Sequence, residues 1–340
     1  MPGPVPEGIV PLISVEGSAY ACGRAYARIV MDRYPNYRRY LDQASSWRSL
    51  HTDVRRLFEQ RAPYMLDVYR GLLDVAGPPR STPKPDTPAK QCTSFGVAGD
   101  VTLDGEPISG QTKDTGVESA LLYIVLRMRI EDGPTLLVLA YPGEVLGYGL
   151  WSTGMSLFRN NLYSTAGAER GLTMEQWGLL ALAGGCTDEA VFLACKYGIR
   201  TVGNFLVSDR RGRSVNVESN VGGVSVVPAR KGIATHANHP VGDRTAPHEH
   251  YPDEAERVAS RHRMDRLWQL LDVDRGLLAA PKAMMCLADH AGNPRGICRH
   301  FVHGGADLVT TGAVVAEPTR GRLHVTRSNP CSNWPTSYML

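Results

Sequence analysis

Two residue types close together in one stretch can do chemistry. Gln91-Cys92-Thr93-Ser94-Phe95 sets a thiol near the head of an apolar run, and Ser109-Gly110-Gln111-Thr112-Lys113-Asp114 sets a carboxylate at the end of the next. Asp104-Gly105 between the runs is a strong hairpin signal. A hairpin of this kind predicts Cys92 and Asp114 side by side, and a strand-tip thiol beside an acid is a nucleophile site.

The rest of the chain must hold that hairpin. Ile9 to Val15 reads as a strand, followed by helical stretches to about Gln43 and from roughly Asp53 to Ala76. The segment Gly77 to Lys90 is rich in Pro and has the composition of an extended linker or a cuttable loop. From Cys92 to about Val226 the pattern is mostly strands. Thr135 to Tyr141 is an apolar run, Gly154 to Leu162 ends in two amides, and Phe205-Asp209 with Ser214-Glu218 forms a second hairpin. Met174 to Ala183, Thr187 to Tyr197, Pro252 to Leu271 and Pro281 to His290 have helical spacing. Leu308 to Val315 and Leu323 to Thr326 are strands, and the tail from Ser328 is irregular. This order predicts a layered α+β domain.

Composition narrows the function classes. The 340 residues are 43% hydrophobic and 21% charged, ordinary for a globular protein. A net charge of +3 without a dense basic block argues against nucleic acid as a partner. No apolar run is long enough to span a bilayer, and the start lacks the basic and apolar regions of a signal peptide. Seven widely spaced cysteines without a CxxC predict reduced thiols and a cytoplasmic location. His236, His239, His248 and His250 have no standard metal spacing, so no metal is expected. No phosphate-binding glycine loop occurs.

Several pieces fall into a shared order. Gly17 to Gly23, Cys92-Thr93-Ser94, Gly110-Gln111-Thr112-Lys113-Asp114, Gly154 to Leu162, Gly203-Asn204-Phe205-Leu206 with Asp209, Gly212 and Glu218, His236-Ala237-Asn238-His239, Ser260 to Arg263, Ile297-Cys298-Arg299 and Asn329-Pro330-Cys331 span most of the chain. In this order the chain resembles the acyl-coenzyme A:6-aminopenicillanic acid acyltransferase (isopenicillin N acyltransferase) family of cysteine N-terminal-nucleophile (Ntn) hydrolases. Relatives of that family include penicillin V acylases and bile-salt hydrolases.

The resemblance implies a four-layer αββα sandwich of two antiparallel sheets. It implies self-cleavage of Gln91–Cys92, with residues 1–91 as a pro-segment or α-subunit that stays attached and 92–340 as the β-subunit, all one structural domain. The released α-amine and the thiol have reference pKa values of about 8 and about 8.5, so one residue can be both nucleophile and base. By resemblance Cys92 forms a thioester. Asn238 supplies one oxyanion donor, Asn160 supplies another or holds the amine, Asp114 orients the α-ammonium or binds substrate, and Arg299 is the cation beside the nucleophile. Gln111 and Ser94 are further substrate-binding candidates. The expected partners are a small acyl donor and an amine acceptor, with no cofactor, although acyl-CoA or another thioester can be a co-substrate.

Four departures qualify the match. Gln91 stands where a small residue is usual, and Thr112 replaces an Asn. The segment before Cys92 is shortened. Asp307 falls where the penicillin enzyme keeps a carboxylate-binding arginine, which favours a cationic or neutral amine acceptor. Simple amide hydrolysis, a member that never matures, and a Cys92–His pair of the papain kind remain as alternatives.

Overall fold

The computed structural model describes residues 8–80, 91–251, 253–301 and 308–340. Fourteen strands and eight α-helices make up the described fold. The first part holds β1 (Leu12–Gly17), α1 (Ala19–Arg33), α2 (Arg39–Gln43), α3 (Thr52–Arg61) and α4 (Pro63–Ala76). The middle runs through β2 (Gln91–Val97), β3 (Ile108–Thr115), β4 (Ile124–Ile130), β5 (Thr135–Ala140), β6 (Tyr148–Trp151) and β7 (Met155–Asn160). It continues with α5 (Met174–Gly184), α6 (Thr187–Tyr197), β8 (Gly203–Asp209), β9 (Ser214–Asn220), β10 (Gly223–Pro228) and β11 (Ile233–His236). The chain closes with α7 (Glu254–Val273), α8 (Ala280–Leu287), β12 (Val309–Glu317), β13 (Arg322–Arg327) and β14 (Thr336–Met339).

The strands form two sheets. One has the order β1-β4-β5-β6-β7-β8-β9-β10, the other β11-β2-β3-β12-β13-β14. All pairings are antiparallel except β1 with β4. Three apolar clusters show the layering. Leu126, Val138, Trp151 and Val207 of the larger sheet pack under Tyr26, Leu72, Trp177 and Leu193 of α1, α4, α5 and α6. Phe95, Val97 and Val315 of the smaller sheet pack under Leu267, Leu271, Met284 and Leu287 of α7 and α8. Between the sheets lie Val125, Leu139, Phe158, Val314 and Leu323. The architecture is therefore four layers, αββα, as the resemblance implied.

Alternation along each strand assigns the faces. In β2, Phe95 and Val97 look to α7 and α8, so Cys92, Ser94 and Gly96 look between the sheets. The sheets come close here: a Cβ on Gly96 would lie 2.6 Å from Ser214 Oγ and 2.7 Å from Ser208 Oγ. The two glycines of the N-terminal helices have a similar reason. A Cβ on Gly23 would lie 2.0 Å from the Val68 carbonyl oxygen, and one on Gly71 2.2 Å from that of Tyr20.

The structure corrects some sequence-based expectations. The first helical stretch breaks after Arg33, at the Pro35 turn, and the second breaks at Ala62, where Pro63 starts α4 at N1. The tail is not wholly irregular, because β14 adds an edge strand to β13. The Pro-rich expectation for residues 81–90 and the reading of Asp307 lie outside the described residues.

Candidate active site

The first hairpin forms, but one residue out of the expected register. Cys92 pairs with Lys113, and Asp114 pairs with Gln91. Directly opposed residues share a face. Cys92 and Lys113 therefore share the inter-sheet face, while Gln91, Thr93 and Asp114 lie on the helix side. The expected thiol–carboxylate neighbour is a thiol–ammonium neighbour.

The sulfur side is polar and buried. Cys92 is 2% exposed. Lys113 is fully buried, with Nζ 2.5 Å from Tyr148 Oη and 3.8 Å from the centre of that ring. Burial alone would lower the Lys113 pKa. The electrostatic influence of Cys92 and of Tyr148 outweighs it, so the net direction is up. Arg159 stacks on the same tyrosine ring at 4.3 Å and pairs with Glu144 at 2.6 Å.

Ser94 Oγ donates to Asn160 Oδ1 at 2.7 Å, and Asn204 Nδ2 donates to the same oxygen at 3.0 Å. These two donors fix the orientation of the Asn160 amide. Its Nδ2 is buried and has no hydrogen-bond partner among the described residues. Gln111 has a different place from the one expected: its amide bridges both backbone groups of Arg159, at 2.8 and 2.9 Å, and ties β3 to β7.

The backbone of Cys92 is clamped from both directions. Strand β11 ends at His236, opposite Ser94, so the ladder stops short of Cys92. The side chain of Asn238 takes over: its Oδ1 accepts from the Cys92 N–H at 3.2 Å. Arg263 donates to the Cys92 carbonyl oxygen at 3.0 Å and to the same Asn238 Oδ1 at 2.9 Å. Asn238 Nδ2 donates to the Asn161 carbonyl at 2.8 Å, which fixes that amide too.

On the helix side, Arg263, Arg299, Glu256 and Asp114 are buried together, with the more exposed Arg295 at the edge of the group. Arg263 also reaches Gln91 Oε1 at 2.9 Å and Thr93 Oγ1 at 2.8 Å. Gln91 Nε2 donates to Glu256, which also binds Arg295 at 2.9 Å and Arg299 at 3.2 Å. Asp114 accepts from Thr310 Oγ1 at 2.7 Å. Burial raises the Asp114 pKa, with Arg299 the largest opposing influence. The Arg263 pKa is lowered to about 10, first by burial and then by its neighbour Arg299. Asp114 Oδ2 and Arg299 Nε and Nη1 have no hydrogen-bond partner among the described residues. Such atoms are costly in a structural core and are typical of sites that await a ligand or a chemical change.

Of the residues singled out from the sequence, Cys92, Asn238, Asn160, Ser94, Asp114, Arg299 and Gln91 converge on one end of β2. Asp307 lies outside the described residues. Sequence reasoning missed Lys113, Arg263 and Glu256 as site residues. Arg263 carried a signal, since it ends the Ser-x-x-Arg match. Two of the four histidines make buried hydrogen-bond contacts: His236 Nε2 lies 2.6 Å from Glu218 Oε1, and His239 Nδ1 lies 3.0 Å from Ser260 Oγ.

No family model and no curated protein matches this chain. Solved structures do. A mutant of the conjugated bile acid hydrolase from Clostridium perfringens aligns at 12% identity over 73% of this chain and 97% of that one, with a TM-score of 0.49. Penicillin V acylase from Agrobacterium tumefaciens aligns at 13% identity over 72% and 84%, with a TM-score of 0.43. A second variant of the Clostridium hydrolase aligns at 12% identity over 74% and 89%, with a TM-score of 0.38. Among the described residues, no helix is long and apolar enough to cross a membrane.

Proposed function

We propose that this chain is a cysteine Ntn enzyme that acts on amide or thioester bonds through a Cys92 thioester. The observation that carries the reading is the hydrogen bond from the Cys92 N–H to Asn238 Oδ1. The nitrogen that a cut would release as an amine is already held by a fixed acceptor.

Maturation would begin with Cys92 Sγ adding to the carbonyl carbon of Gln91. The Gln91–Cys92 C–N bond then breaks, the proton goes to nitrogen, and water hydrolyses the thioester to a Gln91 carboxylate. In turnover, the freed amine takes the thiol proton and the sulfur adds to an acyl carbonyl. The leaving group takes the proton, and water or an amine releases the acyl group. Lys113 is the cationic partner of the sulfur. Asn160 Nδ2, a fixed donor without a hydrogen-bond partner among the described residues, suits the developing oxyanion. Asp114, opposite Gln91, would hold the new ammonium. Arg299 and Arg263 balance the carboxylates around it. We take an amine as the final acceptor, giving N-acyl transfer in a secondary-metabolic setting, with hydrolysis as the background reaction. Residues 1–91 would stay bound after the cut.

A specific observation favours a second reading, an enzyme or idle fold that is never cut. Gln91 is a fully embedded strand residue whose side chain is bound by both Arg263 and Glu256. Intact mass of freshly purified protein, beside Cys92→Ala, separates the readings. Two fragments meeting at Gln91/Cys92, with a full-length mutant, support maturation. An uncut wild-type chain would refute it. Cys92 labelling by an acyl-mimic electrophile then distinguishes a working thiol from an idle one.

A further inference from the structure

Away from Cys92, the loop before β12 and the segment after β13 bring together four side chains that no step above uses. They are His290, Cys298, His300 and Cys331, and their ligand atoms all lie within 4.8 Å of one another. Cys298 Sγ and Cys331 Sγ are 3.7 Å apart, His300 Nε2 is 3.2 Å from Cys331 Sγ and 3.8 Å from Cys298 Sγ, and the two histidine Nε2 atoms are 3.0 Å apart. A tetrahedral zinc site with metal–sulfur bonds of about 2.3 Å and metal–nitrogen bonds of about 2.0–2.1 Å has edges of roughly 3.8 Å between sulfurs, 3.5 Å between sulfur and nitrogen and 3.3 Å between nitrogens. The sulfur–sulfur edge, the two edges from His300 to sulfur and the edge between the imidazoles lie within about 0.3 Å of that pattern, and His290 Nε2 lies within 4.8 Å of both sulfurs. A disulfide needs its sulfurs at about 2.05 Å, so the cysteines are spaced for a shared ion rather than for each other.

We propose that His290, Cys298, His300 and Cys331 form a structural site for a divalent, borderline-soft cation of the zinc class. Two thiolates and two imidazoles select such an ion over a hard, oxygen-seeking one. Four protein ligands close the coordination sphere, which makes the ion a staple rather than a catalyst. An outer contact is also in place. Asn329 Nδ2 lies 3.4 Å from Cys298 Sγ and 2.6 Å from the Arg299 carbonyl oxygen. Such a contact orients a thiolate ligand.

The position gives the staple a purpose. Cys298 and His300 flank Arg299, whose guanidinium enters the buried charge group beside Gln91 and Asp114. Cys331 is anchored instead to the turn between β13 and β14. A bound ion ties these two segments together and holds the backbone that delivers Arg299.

The test uses the full-length chain purified under reducing conditions, with zinc alone as the probe. Metal analysis after dialysis is expected to give one equivalent per chain, and Co(II) in its place is expected to give thiolate-to-metal charge-transfer absorption. Cys331→Ser and His290→Ala each change an exposed residue, so both variants should fold, and each is expected to weaken metal retention by at least about tenfold. Thiol titration of the wild-type chain is expected to protect Cys298 and Cys331 with zinc and to free both after chelation. Retention below one tenth of an equivalent, thiol counts that zinc does not change, or a Cys298–Cys331 disulfide in freshly isolated protein would each overturn the proposal.

Discussion

Between the sheets, the half around Leu139, Phe158 and Val314 is apolar, whereas the half around Ser94, Asn160 and Asn204 is a mesh of hydroxyls and amides. The same strands supply both. In β7, Phe158 belongs to the first and Asn160 to the second. In β8, Leu206 is apolar core, while two residues along the strand Asn204 bonds Asn160 and Asn216. The apolar half stabilises by removing surface from water, at about 25 cal/mol per Å². The polar half gains only about 0.5–1.5 kcal/mol per hydrogen bond, and a buried donor left unpaired costs about 1–3 kcal/mol. Under the proposed function, stability and chemistry are separated within one layer. The apolar half fixes the sheet spacing, and the polar half uses that fixed spacing to hold dipoles beside Cys92.

Substitutions on either side of this boundary should behave differently. Asn160→Ala is expected to cut acyl turnover by about 10²–10³-fold, as for loss of an oxyanion donor. Its stability should fall as well, by about 1–3 kcal/mol, because Ser94 Oγ and Asn204 Nδ2 lose their shared buried acceptor. A large midpoint loss with normal turnover would make Asn160 purely structural. Leu139→Ala should change stability alone. Unfolding stability should fall by about 2–5 kcal/mol, with unchanged Cys92 labelling per folded molecule. A labelling defect would show that the halves are coupled.

Lys113→Met tests the ammonium beside the sulfur. Cys92 alkylation at neutral pH should slow by about tenfold, and Lys113→Arg should restore most of it. Equal losses in both variants would point to packing instead.

The last effect is an acid one. Burial, with His236 as second cause, lowers the pKa of His239 to about 3. For Glu218, burial pushes upward, but the hydrogen bond and charge of His236 win and bring it to about 2. In both cases the unfolded chain binds more protons than the folded one, so stability rises with pH. The His239 contribution should be lost as pH falls from about 6.5 towards 3, and the Glu218 contribution as pH falls from about 4.5 towards 2. Each group adds a slope of up to about 1.4 kcal/mol per pH unit in its window. His239→Gln should flatten the upper window in a urea titration across pH; an unchanged slope would remove His239 as its source.

Sequence reading reached the strand bearing Cys92, the second hairpin and the later helices, because period-2 and period-3.6 patterns are local. It also singled out Asn160, in the stretch Gly154 to Leu162, and Asn238, in the tetrapeptide His236 to His239; the structure brings both side chains to the Cys92 end of β2. Sequence reading did not reach Lys113. An alternating pattern shows that two faces exist, but only the pairing register decides that Lys113, not Asp114, stands across from Cys92. Glu256 was hidden for a similar reason: it looks like an ordinary acid in a helix's first turn until Gln91, Arg295 and Arg299 are seen to meet it. The His290–Cys331 cluster draws on positions 290, 298, 300 and 331, a spacing that matches no compact metal motif. Only the closure of two loops brings it together.

The parallel pairing of β1 with β4 has a consequence for how a matured enzyme would melt. The N-terminal part supplies that edge strand, and α1 and α4 roof the larger sheet. A cut after Gln91 would leave the contacts in place but remove the covalent tether between the pieces. Unfolding would then release two molecules instead of one, so mass action would govern it. The melting temperature of the cut form should rise with protein concentration, while that of the Cys92→Ala chain should not.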